Sequence, residues 1–310
     1  MFGFTHGSLL PGWIGCAPQG DQLCLALVQP QADGRPAVRW TAQEPWQHPT
    51  STLQRLRRSR ALHRHRCVAL LQRAQYQCVA MDAPADIPRD EWCQAVRWQL
   101  KDMVDFAVDS AALDVLAVPA GTSYRAQPQL IAVAAAAAQV APLVAHASDA
   151  GTPWQAIDIA ETALRNLSSL LEPVDRAQAV LHCQPGHATL VVTYQGELLS
   201  TRTLDLALLG GDANDAIRRA QAFEQAGLEL QRTLDGIERS FGQVTLACLL
   251  ITPMAGAQAL CDHLGPLLYV PVLPMVLDEV LDFSAVPGLL ADPTLLNQQL
   301  VAIGAALRSS

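Results

Sequence analysis

The amino-acid sequence predicts an α/β protein of two related lobes, with an α+β piece inserted into the first. Three observations carry this prediction. Residues 179–204 (AVLHCQPGHATLVVTYQGELLSTRTL) read as strand, turn, strand, turn, strand, broken at Pro185-Gly186 and Gln195-Gly196, and a long helical pattern over 212–241 follows. Two strands about Pro18-Gln19-Gly20-Asp21, a third strand and a helix open the chain in the same order. Between the two sets lies a helix with strands of its own.

Taken in order, residues 1–11 are expected to form a loose leader. Residues 13–16, 23–28 and 37–41 are short apolar runs bounded by turn residues, hence strands. Leu53, Leu56 and Leu62 mark a helical stretch after Thr52, ending near Arg57-Arg58-Ser59-Arg60 and His63-Arg64-His65-Arg66. Residues 67–71 and 78–81 are strand-like. A helix is predicted over 86–104: Pro88 suits its first turn, and Asp90 and Glu91 favour the positive end of its dipole. Trp92, Val96, Leu100, Met103 and Val104 give it one apolar stripe, with Arg97 and Lys101 on the other side.

Strands follow at 112–118 and 130–134, then an alanine-rich helix to 147 containing Pro142, a strand at 154–159, and a helix at 161–171 stopped by Pro173. Beyond the meander, Phe223, Gly227, Leu230, Leu234, Ile237 and Phe241 alternate steps of four and three, and Gly227 is a point where that helix can divide. Strands at 244–251 and 267–272 and helices at 256–264 and 295–307 complete the chain. The implied division is a first lobe over 1–175, made of a core (1–74 and 151–175) and an inserted subdomain (75–150). The second lobe covers 176–310, and its last helix, 295–308, returns to the first.

Half of the 310 residues are hydrophobic and 16% are charged, which supplies a sizeable core and argues against wholesale disorder. The net charge of −8 disfavours a nucleic-acid binder. No apolar run reaches the ~18 residues that span a bilayer; Gln139 and Pro142 interrupt the nearest, at 130–144. The first residues lack the pattern of an export signal, so a cytoplasmic location is expected. Eight cysteines without paired spacing read as reduced residues of the interior.

Four collinear stretches resemble a known family. AVRWQLKDMVDFAVDSAALDV (95–115), IDIAETALRNL (157–167), GELLSTRTL (196–204) and VAIGAALR (301–308) look like the PilM-type actin-like proteins of type IV pilus assembly. Within that family they resemble the MSHA-pilus biogenesis branch, MshI. The resemblance implies an actin-like (ribonuclease H-like) two-lobed fold, cytoplasmic and peripheral to the inner membrane, within the platform that assembles the pilus. It implies as partner a PilN-type (MshJ-like) single-span membrane protein, held by its cytoplasmic N-terminal tail in a groove between the first two subdomains. An assembly ATPase is implied nearby, and in PilM itself ATP sits between the lobes.

Phosphate loops of this fold need an Asp to organise Mg²⁺ and glycines that let backbone N–H groups approach. On this sequence the family's first-lobe Asp falls on Ala17, its Gly on Gln19 and its Lys near Cys24. The second-lobe pair falls on His182 and Gln184, and the adenosine-side Gly-Gly near Thr252-Pro253, where proline removes a donor. With both acidic groups, both glycines and the lysine replaced, cation site and phosphate cradle are expected to be lost together. The resulting expectation is a non-catalytic scaffold without cofactor. The alternative is an ATP-binding switch whose lobe closure regulates partner binding, and a sugar-kinase-like enzyme of the same superfold is disfavoured.

Other candidates are simpler. His63, His65 and Cys67 are metal-ligand types without a second pair, flanked by arginines that repel a cation, so a solvated surface without metal is expected. Arg57, Arg58 and Arg60 form either a solvated helix face or a contact for anionic lipid heads or an acidic partner. Arg97, Trp98 and Lys101 lie off the apolar stripe and are candidate contacts for the partner's tail. No GxxxxGK(S/T), GxSxG, HExxH or GxGxxG pattern occurs.

Overall fold

A computed structural model describes residues 9–32, 34–125, 127–206 and 216–308. Strands β1 (Trp13–Gln19), β2 (Gln22–Gln29) and β3 (Ala37–Pro45) form an antiparallel meander. Helix α1 (Pro49–Ser59) crosses over to β4 (Arg66–Leu70), which runs parallel to β1. The inserted piece follows: β5 (Gln77–Asp82), α2 (Trp92–Gln99), β6 (Ala112–Ala117) and β7 (Gln129–Ala135). Its sheet is antiparallel with the order β5-β7-β6. After α3 (Ala137–Asp149), β8 (Ala156–Asp158) joins β4 in parallel, and α4 (Ala160–Ser169) closes the lobe.

The second sheet repeats the first. Its strands are β9 (Ala177–Gln184), β10 (His187–Tyr194) and β11 (Glu197–Leu204), then α5 (Ala216–Ser240), β12 (Leu246–Ile251), α6 (Ala257–Leu264) and β13 (Val272–Pro274). The strand orders β3-β2-β1-β4-β8 and β11-β10-β9-β12-β13 are the same: a meander, then two strands parallel to its first. The turn between β10 and β11 holds Gln195 and Gly196 at φ +55° and +74°, the left-handed pair that a two-residue hairpin demands.

Two helices end the chain, α7 (Pro287–Ala291) and α8 (Pro293–Ala306). Asp292 caps α8 by accepting from the N–H groups of Thr294 and Leu295, both at 3.0 Å. This helix lies directly against β1 and α4. A Cβ on Gly15 would stand 2.0 Å from the Ala302 carbonyl oxygen, and one on Gly304 would stand 2.2 Å from that of Ala163. Only glycine allows backbones to approach so closely.

Several elements differ from the sequence reading. The helix over 86–104 is reduced to the eight residues of α2, framed by 3₁₀ turns at Arg89–Glu91 and Leu100–Asp102. Met103 leaves the stripe and is 49% exposed, because the chain turns there toward Val108 and Ala111, whose carbonyls hold Arg97. The strand at 267–272 shifts to Val272–Pro274, since Leu267 and Leu268 extend the turns of α6 by donating to the Leu264 carbonyl. The strand at 154–159 shortens to three residues as the Trp154 indole turns to the Leu143 carbonyl at 3.0 Å.

Helix α5 runs unbroken through Gly227, which makes room for Leu267: a Cβ there would meet its Cδ1 at 2.9 Å. Residues 1–8 of the expected leader and 212–215 of the expected long helix lie outside the described residues. Among the described residues no helix is long and apolar enough to cross a membrane. All eight cysteines are free thiols, five of them buried.

Candidate functional site

A cleft of about 570 Å³ opens at the carboxyl ends of β1 and β4, between the first hairpin and its counterpart in the second lobe. Ala17, Gln19 and Cys24 line it from one side and Gln184, His187 and Thr189 from the other. Gln72 and Arg73 enter from the end of β4, and Gln298 from α8. The amides are engaged within the wall: Gln19 Nε2 donates to the main-chain carbonyl of Gln298 at 2.9 Å and Gln43 Nε2 to its side-chain Oε1 at 2.6 Å. Arg73 spans the lobes, donating from Nε to Thr203 Oγ1 at 3.0 Å and from Nη1 to the Tyr76 carbonyl at 3.2 Å. No Asp or Glu is among the described lining residues.

The expected loss of both glycines needs correction. Gly20, at φ +57°, and Gly186, at φ +92°, occupy the two hairpin turns, each with open space where a Cβ would stand. Bare backbone is therefore displaced by one or two residues from Gln19 and Gln184 rather than absent. His182 also differs from expectation, because it does not line the cleft. It is fully buried, with Nδ1 3.2 Å from Thr252 Oγ1 and Nε2 without a partner. Burial pushes its pKa down to about 4, so the ring is neutral at pH 7. Thr252 in turn donates to Asn297 Oδ1 at 3.2 Å. His187 is also pushed down, first by burial and then by the Arg73 charge.

A second concavity, about 210 Å³, lies between the inserted sheet and the first-lobe core. Leu71, Leu116, Val133, Val140, Ile157 and Ile159 make it apolar, and Asp114 and Asp158 border it. Strands β6 and β8, which contribute to it, are the edges of their sheets. On another side of the insertion a hollow of about 620 Å³ is bordered by Arg73, Tyr76, Met103 and Phe106. The insertion is tied to α4 where the Tyr76 hydroxyl donates to Glu161 Oε2 at 2.6 Å, and burial raises the pKa of that carboxyl.

The expected tail contacts are not brought to these concavities. Helix α2 covers the face of the inserted sheet where Trp92, Val96 and Leu100 pack with Leu130, Ala132 and Ala134. Trp98 is 74% exposed and Lys101 is exposed, and neither lines the groove or the hollow. Arg97 is half-buried, its guanidinium engaged by the carbonyls of Val108 and Ala111. The stripe showed which residues leave the core, but no local pattern says which face of a sheet a helix covers. Leu116, Val133 and Ile157, which do line the groove, read in the sequence as ordinary strand residues.

Arg57, Arg58 and Arg60 are exposed at and just beyond the carboxyl end of α1, the Arg60 guanidinium 4.9 Å from the Trp40 ring. The neighbouring histidines do not form one solvated surface. His63 is exposed, whereas His65 is buried with Nδ1 unpartnered, and the buried Cys67 donates to the Leu62 carbonyl. Alternation along the chain turns 65 and 67 inward and 64 and 66 outward. Among the described residues no group of three His, Cys, Asp or Glu is placed to hold a metal ion.

No family model matches the chain, and neither does any curated protein. Solved structures do match. The chain is similar to a PilM–PilN type IV pilus biogenesis complex over 96% of its own length and 98% of that chain, with a TM-score of 0.68 and 20% identity. A Bacteroides thetaiotaomicron protein with an actin-like ATPase fold matches with a TM-score of 0.52 and 9% identity, covering 94% of this chain and 95% of that one. The cytoplasmic domain of EpsL, an inner-membrane component of the Vibrio cholerae type II secretion system, matches at 0.51 and 10% identity over 96% of each chain. These likenesses establish an actin-like fold.

Proposed function

We propose that this chain is a PilM-like protein of the MshI branch, a non-catalytic actin-like scaffold in the inner-membrane platform that assembles an MSHA-type pilus. In this reading it binds the cytoplasmic N-terminal tail of a PilN-type, MshJ-like membrane protein and stands near the assembly ATPase. The likeness to a PilM–PilN complex supports the fold half of the reading. One observation carries the functional half: the cleft is walled by glutamine amides and contains no described carboxylate. Mg²⁺ is usually held through one or two carboxylates beside substrate phosphates, and a neutral amide does not supply that charge.

The groove between insertion and core offers what a tail needs. Its aliphatic lining gives apolar burial, and the sheet edges β6 and β8 suit an extended segment. Titrating a synthetic PilN-type tail peptide into the protein by calorimetry, with and without Mg-ATP, tests the proposal. Binding with the same affinity in both, and no ATP hydrolysis above buffer, is the expected result.

The switch reading has its own support in Gly20, Gly186, Arg73 and His187, which leave two bare turns and cationic or polar side chains in the cleft. Tail binding that requires ATP would favour it over the scaffold.

A further inference from the structure

We propose that the arginine face around the end of α1 docks on an anionic lipid bilayer, with the cleft at the opposite end of the core sheet. Six arginines fall within residues 55–66, out of 21 Lys and Arg in a chain of net charge −8, and no Asp or Glu occurs between Pro45 and Met81. Arg55, Arg57, Arg58, Arg60, Arg64 and Arg66 are all exposed. Arg55 is neutralised by Glu44 at 2.7 Å. Arg57, Arg58 and Arg64 meet no carboxylate among the described residues.

Apolar surface is interleaved with this charge. Arg60 stacks over Trp40 at 4.9 Å and Arg66 over Trp13 at 5.7 Å, and both indoles are half-buried. Leu9 is 46% exposed, and the Leu10 N–H donates to the Arg64 carbonyl at 2.7 Å, so this leucine pair joins the same edge. Guanidinium groups beside tryptophan and leucine match a headgroup layer, where cations meet phosphate and indoles take the boundary.

Topology sets the orientation. Trp13 and Arg66 pair at the first residues of the parallel strands β1 and β4, whereas Gln19 and Leu70, at their far ends, line the cleft. The rise along β1 separates the two ends by roughly 20 Å. Outside residues 55–66 the chain is more acidic still, so an anionic plane repels its other faces and admits this one. That difference favours a bilayer over an acidic protein, which can meet the arginines without bringing a charged plane against the rest of the molecule.

The test is co-sedimentation of the full chain with mixed phosphatidylcholine–phosphatidylglycerol vesicles and with phosphatidylcholine alone, over rising salt. Binding to the anionic vesicles only, weakening with salt, is expected. Each arginine near such a surface contributes about fivefold in partitioning, so losing three costs on the order of a hundredfold, and Arg57→Glu, Arg58→Glu and Arg64→Glu combined should reduce it by at least that. The same charge change on α5, through Arg218→Glu, Arg219→Glu and Arg239→Glu, should leave a substantially larger fraction bound, and thermal melting checks that both variants fold. Equal binding to neutral vesicles, equal losses from the two triple variants, or retention on polyglutamate without vesicle binding would overturn the proposal. No tail peptide enters this assay, so its failure leaves the scaffold reading untouched.

Discussion

The cleft and the groove share a wall yet offer opposite chemistry. Leu71, just past the end of β4, borders both. On one side of it the Gln19 and Gln43 amides are engaged by Gln298; on the other, Leu116, Val133 and Ile157 present bare aliphatic surface. Successive residues of an extended chain point to opposite sides, so one site can lose its charges while its neighbour keeps apolar area. Amides already engaged within the wall gain little from a new ligand, whereas burying apolar area is worth roughly 25 cal/mol per Å². In the proposed reading this difference puts recognition of the partner's tail beside the cleft rather than inside it.

The largest expected effect concerns the packing of α8, the helix that brings Gln298 and Val301 to the cleft. Gly304→Ala drives a Cβ onto the Ala163 carbonyl at 2.2 Å and should cost about 3 kcal/mol, read as a fall in the urea midpoint. Gly20→Ala, in an open turn, should cost only about 1 kcal/mol. Equal costs would mean that α8 is not pinned against α4. Next comes pH. His182 has its pKa lowered to about 4 from the ordinary 6.5, so its contribution is fully present above pH 6.5 and is lost as pH falls toward 4. The loss approaches about 3 kcal/mol, from 1.36 kcal/mol per pKa unit. Denaturation of His182→Gln across that window should show a flatter slope; an unchanged slope would count against a neutral, buried ring behind the cleft.

The groove is probed by smaller effects. Leu116→Asp should weaken tail-peptide binding roughly 30-fold, as expected for an apolar anchor in a desolvated pocket. A change under twofold would move the tail elsewhere. Trp98→Ala should alter neither that affinity beyond about twofold nor stability beyond about 0.5 kcal/mol, since the ring stands in solvent on α2. A large loss of affinity would relocate the partner surface to that helix.

Much of the fold was legible in the sequence. The meander over 179–204 announces itself through β-branched and apolar runs broken by two glycine turns, and strands β9 and β10 are buried along nearly their whole length. Less legible were features set by contacts remote in the chain. The Val108 and Ala111 carbonyls that hold Arg97, and the Leu267 side chain that fills the notch at Gly227, carry no local signature. Ala17 reads in the sequence as a position without a carboxylate and lines the cleft, whereas His182, read as its counterpart, is buried away from it. Gly20 and Gly186 were legible as turn residues, but that they set bare backbone beside Gln19 and Gln184 was not, because hairpin register decides it. The groove stayed hidden since Leu116 and Val133 look like any half-buried strand residues, and only the docking of insertion on core brings them together.

The most direct measurement is the unfolding temperature of the full chain with and without Mg-ATP. A ligand at a hundred times its Kd adds about 2.7 kcal/mol to stability, which appears as a rise of several degrees. A cleft walled by amides predicts no rise, with tail-peptide binding intact in the same samples. A clear upward shift that disappears when Mg²⁺ is chelated would contradict it.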